Sequence, residues 1–166
     1  MEDAQAICEA IQISKAELMP WMDWCRPDYS IEVTLDWLSH QPQSWEEGSN
    51  YQFAVFDQNG HQFLGACGLN HINRYYQIAN LGYWIRSDRI GEGIATGATK
   101  LVARFGFQYI GLRRIEMVPG IENWSSRRVA EKSGAKYEGI LRKRLKLGDD
   151  NIDAAMHSLI LEDLEI

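Results

Sequence analysis

Apolar positions along this chain switch period in a short space. Leu81, Tyr83 and Ile85 alternate with Asn80, Gly82 and Trp84, the period of two that a pleated strand imposes. Further on, Ile94, Ala98, Leu101, Val102 and Phe105 recur at the spacing of one helical face. Between them Asp88-Arg89-Ile90-Gly91-Glu92-Gly93 crowds charge and glycine into a tight turn. The stretch from Ala79 to Phe107 therefore predicts strand, glycine turn, helix. Two glycines at a helix start let backbone approach a ligand with no Cβ between them, and the unpaired amides of the first turn carry the positive end of the helix dipole. That predicts an anion site suited to phosphate. A bare strand-to-helix connection would produce the same Gly-x-Gly, and the turn alone leaves both readings open.

The same patterning organises the rest. Upstream, Ala4 to Ile13 predicts a short helix with Ala6, Ile7, Ala10 and Ile11 as its apolar stripe, and Leu18 to Pro27 a loop dense in aromatic and sulfur side chains. Trp21 and Trp24 stand in that loop, where one is expected to seal the core edge and the other to face a substrate. Ser30 is placed to cap a second helix through Leu38, with Ile31, Leu35 and Leu38 buried and Gln41-Pro42 ending it. Strands follow at Tyr51–Phe56 and Gln62–Leu69 around an Asp57–Gly60 turn, then a polar loop Asn70–Arg74 that carries His71, then a strand Tyr76–Ile85. Downstream, the helix runs to Phe107, Gly111 breaks the chain, and Arg114–Val118 forms a strand parallel to the one before the crossover. Asn123 caps a helix from Trp124 to Lys132, and Lys136–Leu147 with Ile152–Leu161 make a last hairpin.

Two familiar phosphate loops can be weighed against this order. The turn ends Gly93-Ile94-Ala95-Thr96, without the Gly-Lys-Ser/Thr of a P-loop. A dinucleotide fingerprint needs a small residue where Thr96 stands and an acid about 20 positions on, a place near which Glu116 stands. A sheet that precedes the first crossover helix counts against that fold.

Composition narrows the partners. The 166 residues, 45% apolar, suit one domain with a substantial core. Acidic side chains outnumber basic ones by 23 to 17, for a net charge of −6, so the surface repels a nucleic-acid backbone. Cys8, Cys25 and Cys67 lack the paired spacing of zinc ligands and suit reduced thiols; no metal site is expected. No apolar run approaches the ~18 residues that span a bilayer, so no membrane association and a cytoplasmic location are expected. Arg142, Arg144 and Lys146 share one strand face opposite Leu141, Leu145 and Leu147, as a solvated face would.

Taken together, Gly82-Tyr83-Trp84-Ile85, the turn residues Arg89, Gly91, Gly93, Ile94, Ala95 and Thr96, and the run Asn123, Ser126, Arg128, Val129, Glu131, Lys132, Gly134 are joined by Glu138-Gly139, Leu141-Arg142, Gly148, Asp153 and Ser158-Leu159. In that order they resemble the GNAT superfamily of acyl-CoA-dependent N-acetyltransferases, and within it the RimJ/RimL group that acetylates protein amino termini. The resemblance spans about residues 50 to 162 and implies one α+β domain over residues 1–166, with a mixed, largely antiparallel sheet of about six or seven strands flanked by helices and a splayed parallel strand pair at its centre. Three departures stand out. The family's first strand is expected to be missing, Asp88 replaces a Gln/Arg, and Asn80 and His157 replace a carboxylate and a tyrosine common in relatives.

The resemblance also implies roles. Acetyl-CoA would be the cosubstrate, held by Ile85, Arg86, Arg89, Gly91, Glu92, Gly93, Ile94, Ala95, Asn123 and Arg128, with Arg89 offsetting Asp88. Ser126 would protonate the leaving thiolate and Glu116 would serve as base, ahead of His71 and His157. Trp21, Trp24 and His71 would contact the acceptor, either a protein or peptide α-amine or a small amine such as an antibiotic, polyamine or amino acid. A chain acting as monomer or homodimer and a non-catalytic acyl-CoA-binding module are both compatible with these residues.

Overall fold

The computed structural model describes residues 3–164. Its order is α1 (Ala4–Leu18), α2 (Ile31–Glu47), β1 (Tyr51–Phe56), β2 (Phe63–Asn73), β3 (Ile78–Ile85), α3 (Ile94–Phe105), β4 (Arg114–Met117), α4 (Trp124–Lys132), β5 (Lys136–Leu147) and β6 (Asp150–Leu159). The strands form one six-stranded sheet in the order β1-β2-β3-β4-β6-β5. Only β3 and β4 run parallel, as the helical crossover between them requires.

Alternation along each strand supplies a core to both faces. On one face Leu69, Leu81, Ile115 and Leu159 pack with Val102 and Ala103 of α3 and Ala130 of α4. On the other, Ala66 and Phe63 of β2 pack with Ile7, Ala10 and Ile11 of α1 and with Cys25 and Tyr29 of the α1–α2 connection. Leu69, Ile115 and Leu159 are fully enclosed, each stabilising the fold by roughly 1.5–3 kcal/mol through burial.

Six expectations from the sequence are corrected. α1 runs to Leu18, and α2 continues through Pro42 to Glu47, ending at the left-handed Gly48. A proline inside a helix costs about 3 kcal/mol, and here Trp45 offsets it by packing edge-on to Tyr51 and Phe53 and against Phe105, at ring distances of 5.0, 5.2 and 5.9 Å. The buried residue of α2 is Thr34, held by Tyr29 Oη at 3.0 Å, whereas Leu35 is exposed. The expected loop Asn70–Arg74 is largely strand: β2 runs to Asn73 with an irregular register after Asn70, and His71 takes a left-handed φ of 49°. On α3, Leu101 is 66% exposed and Thr99 takes its expected place in the core. A π-helical turn, Gly106–Ile110, then extends α3 to Gly111. A Cβ at Gly106 would lie 2.9 Å from the end of the Ile115 side chain, so a larger residue there would require its core neighbours to shift.

Candidate active site

The glycine turn keeps its expected shape. Gly91 and Gly93 adopt φ of 90° and 80°, a region costing other residues about 1–2 kcal/mol, and a Cβ on either would meet nothing within 4 Å. The space in front of the turn is open. Hydrogen bonding in α3 starts with Gly97 N donating to Gly93 O at 3.0 Å, so the amides of Ile94, Ala95 and Thr96 have no helical acceptor. The two acids beside them are neutralised. Asp88 is gripped by Arg86 at 2.6 and 2.9 Å and Glu92 by Arg89 at 2.7 and 2.8 Å, and these hydrogen bonds hold both carboxyls below their usual range. The main partner that offsets Asp88 is therefore Arg86, with Arg89 adding a smaller share through space. Arg86 is pinned in turn by the carbonyl of Phe63 at 3.2 Å.

Beside this turn the sheet opens. β3 and β4 pair only from Ile78↔Arg114 to Asn80↔Glu116, so Leu81 to Ile85 have β2 on one side and no strand on the other. Arg86 N donates to Leu64 O at 2.8 Å. Antiparallel alternation then turns the main-chain groups of Tyr83 and Ile85 away from β2, into the gap that β4 leaves. Helix α4 begins across this gap. Asn123 caps it, its Oδ1 accepting from Ser126 N at 3.1 Å and Ser125 Oγ at 2.9 Å. Ser126 Oγ stands 2.8 Å from the Tyr83 hydroxyl, and burial, opposed by that hydrogen bond, pushes the Tyr83 phenol up to about 12. Arg128 lies exposed on the same helix. Tyr83 was not singled out in the sequence as a site residue. Its signal was the alternation that put it in phase with Leu81, on the α4 side of the sheet.

Glu116 sits in a different setting from Ser126. Its Oε1 accepts from Arg114 Nε at 2.9 Å, and Arg114 forks onto Glu138 at 2.7 and 2.6 Å. Glu138 also accepts from Ser158 Oγ at 2.6 Å and is held down to about 2, chiefly by Arg114. A carboxylate row rather than an isolated base therefore crosses β4, β6 and β5. In register with it, Asn80 Nδ2 donates to Asn70 Oδ1 at 2.9 Å.

On the α1–α2 side of the sheet a cavity of about 600 Å³ opens over β1, β2 and β3. Trp24, Tyr29, Trp37 and Trp84 are among its walls, and Gln52, Asn70 and Asn80 bring carboxamides to it. Trp24 is 42% exposed, with its ring 5.9 Å from Tyr29 and 6.2 Å from Trp84. Among the lining residues Asp3 is the one carboxylate. Trp21 lies elsewhere, its ring against Gly120. His71 is exposed and outside the lining, while His157 is fully buried on β6, its Nδ1 3.3 Å from Ala155 O. The structure thus gathers the glycine turn, Tyr83, Ser126 and Asn123 at the gap, puts Trp24 in the cavity, and leaves Trp21 and His71 apart from it. Among the described residues no cluster of three or more His, Cys, Asp or Glu could hold a metal, and no helix is long and apolar enough to cross a membrane.

A sheet splayed beside an open helix mouth is the architecture of an acyl-CoA-dependent transferase, and comparison with known proteins agrees. Residues 1–136 match the family model described as an acetyltransferase (GNAT) domain. The probable N-acetyltransferase YjcK of Bacillus subtilis is 32% identical over 120 residues, covering 72% of this chain and 66% of its own. The putative ribosomal N-acetyltransferase YdaF of the same organism is 29% identical over 171 residues, covering 99% and 89%. Among solved structures, Mycobacterium smegmatis RimJ in complex with CoA-disulfide superposes with a TM-score of 0.86 at 26% identity, covering 99% of this chain and 80% of that one. The chain belongs to the GNAT acetyltransferase family and is RimJ/RimL-like. It is an acetyl-CoA-dependent N-acetyltransferase.

Proposed function

We propose that the acceptor is the α-amino group of a protein or peptide, acetylated by direct attack on acetyl-CoA in a ternary complex. The observation that carries this reading is the chemistry of the 600 Å³ cavity. Its carboxamides and aromatic walls match a peptide's amide groups and an uncharged first side chain. A polyamine would bring several ammonium groups, and one carboxylate, Asp3, would leave them unpaired on leaving water. The relative YdaF, a putative ribosomal N-acetyltransferase, points the same way.

In this reading the free amides at Ile94 and Ala95, with Gly91 and Gly93, bind the diphosphate of the cosubstrate, and the paired Arg86–Asp88 and Arg89–Glu92 brace the turn. The main chain of Tyr83 and Ile85, unpaired on the gap side, receives the pantetheine as an added strand and polarises the thioester carbonyl. Asn123 at the cap of α4 flanks the same gap, and Arg128, at the middle of that helix, is the cation offered to the cosubstrate's phosphates. Ser126 donates a proton to the sulfur. The acceptor nitrogen loses its own proton to water, which an α-amine with a pKa near ~8 does readily at neutral pH. Glu116, already paired with Arg114, serves at most to orient that water.

The test is a rate comparison by thiol release. A peptide with a free α-amine should exceed spermidine, an aminoglycoside and an amino-blocked lysine peptide in kcat/KM by about 100-fold or more. Spermidine or the aminoglycoside outpacing the peptide would overturn the reading.

A further inference from the structure

A serine hydroxyl rotates freely unless a neighbour fixes it. At Ser126 one neighbour does so, because Tyr83 Oη lies 2.8 Å from its Oγ and 3.3 Å from its carbonyl oxygen. Asn123 holds the other side of the residue through its main-chain N at 3.1 Å. The two hydroxyls belong to different elements, β3 and α4, and their contact bridges the gap that β4 leaves open. The phenol keeps its proton at neutral pH, since burial raises it to about 12, and a phenol is the stronger donor of the two.

We propose that Tyr83 is a positioning residue for the protonation of the departing thiolate. By donating to Ser126 Oγ it leaves the Ser126 proton as the one free to point into the gap. The inference rests on the reading of Ser126 as proton donor. In the step it serves, the C–N bond has formed, the C–S bond breaks with its electron pair going to sulfur, and the sulfur takes the Ser126 proton. Ser126 regains a proton from water, while Tyr83 keeps its own and stabilises the developing charge on Oγ.

The experiment uses the full chain with acetyl-CoA and the best amine from the panel above. Tyr83→Phe removes one oxygen and keeps the ring. It should lower kcat about tenfold, the worth of one well-placed hydrogen bond, with acetyl-CoA affinity and melting temperature unchanged. Ser126→Ala should lower kcat at least as much. The double variant should be no slower than Ser126→Ala, because the phenol acts only through that hydroxyl. A wild-type kcat in Ser126→Ala would overturn the proton-donor reading itself. A slow Ser126→Ala beside a wild-type Tyr83→Phe, or losses that multiply in the double variant, would overturn the positioning role and leave the donor standing. A Tyr83→Phe that loses acetyl-CoA affinity or melting temperature in step with rate would show a merely structural phenol, and overturn it too.

Discussion

The two faces of the sheet offer different chemistry to a ligand. On the α3–α4 face the groups offered are main-chain amides at the mouth of α3, main chain along β3, and two hydroxyls. On the α1–α2 face they are side chains from scattered segments: Trp24 from the first connection, Trp37 from α2, and Gln52, Asn70 and Asn80 from three strands. Backbone recognition needs only glycines and a helix start, so it tolerates change in everything around it. Side-chain recognition can be retuned one residue at a time. On the proposed function, the cosubstrate face is therefore set by the fold, whereas the acceptor face is set by individual choices on it.

Variants on one face should spare the other's ligand. The largest effect is expected from Gly91→Asp with Gly93→Asp, which puts charged side chains into the open space before the α3 amides. Acetyl-CoA binding, expected near micromolar or about −8 kcal/mol, should fall below detection by calorimetry while the melting temperature shows a folded protein. Binding that survives would move the cosubstrate to another part of the molecule. Next in size, Trp24→Ala should cut kcat/KM for the peptide about 30-fold, the range of an aromatic anchor at a binding surface, with acetyl-CoA affinity intact. A loss of acetyl-CoA affinity there would erase the division between the faces. Smaller again, Asn80→Asp adds a carboxylate to the cavity and should shift the peptide-to-spermidine ratio of kcat/KM toward spermidine by about fivefold. An unchanged ratio would mean that Asn80 does not meet the acceptor.

The smallest effect concerns stability. His157 is enclosed on the α4 side, near Arg127 and Glu131, and burial lowers its pKa. The unfolded chain then takes up the proton first, so stability is whole above about pH 6.5 and declines as pH falls toward the folded value, by at most about 1.4 kcal/mol per unit. Glu138, held at about 2 against 4.5, adds a second loss as pH falls below 4.5. Melting curves between pH 7.5 and 5.5 should flatten in His157→Leu, and an equal slope in both proteins would remove His157 as the cause.

Legibility in the sequence followed the same division. The glycine turn, the Asn123 cap and the limits of α4 were readable because each depends on a residue's local backbone chemistry. The passage of α2 through Pro42 was not, since it depends on Trp45 finding Tyr51, Phe53 and Phe105, partners from other elements. The same holds for Asp88, which is hydrogen-bonded by Arg86 while its neighbour in sequence acts only through space, and for Glu116, whose pairing with Arg114 ties it to a network reaching β5. Tyr83 is the sharpest case: its phase was plain, but its contact with Ser126 appears only when α4 brings that serine to it.

The most direct measurement is a crystal structure with CoA bound. It should show the diphosphate within hydrogen-bond distance of the Ile94 and Ala95 amides, the pantetheine along the open side of β3, and the α1–α2 cavity left to the acceptor. A diphosphate bound inside that cavity, or anywhere away from the mouth of α3, would contradict the division of the two faces.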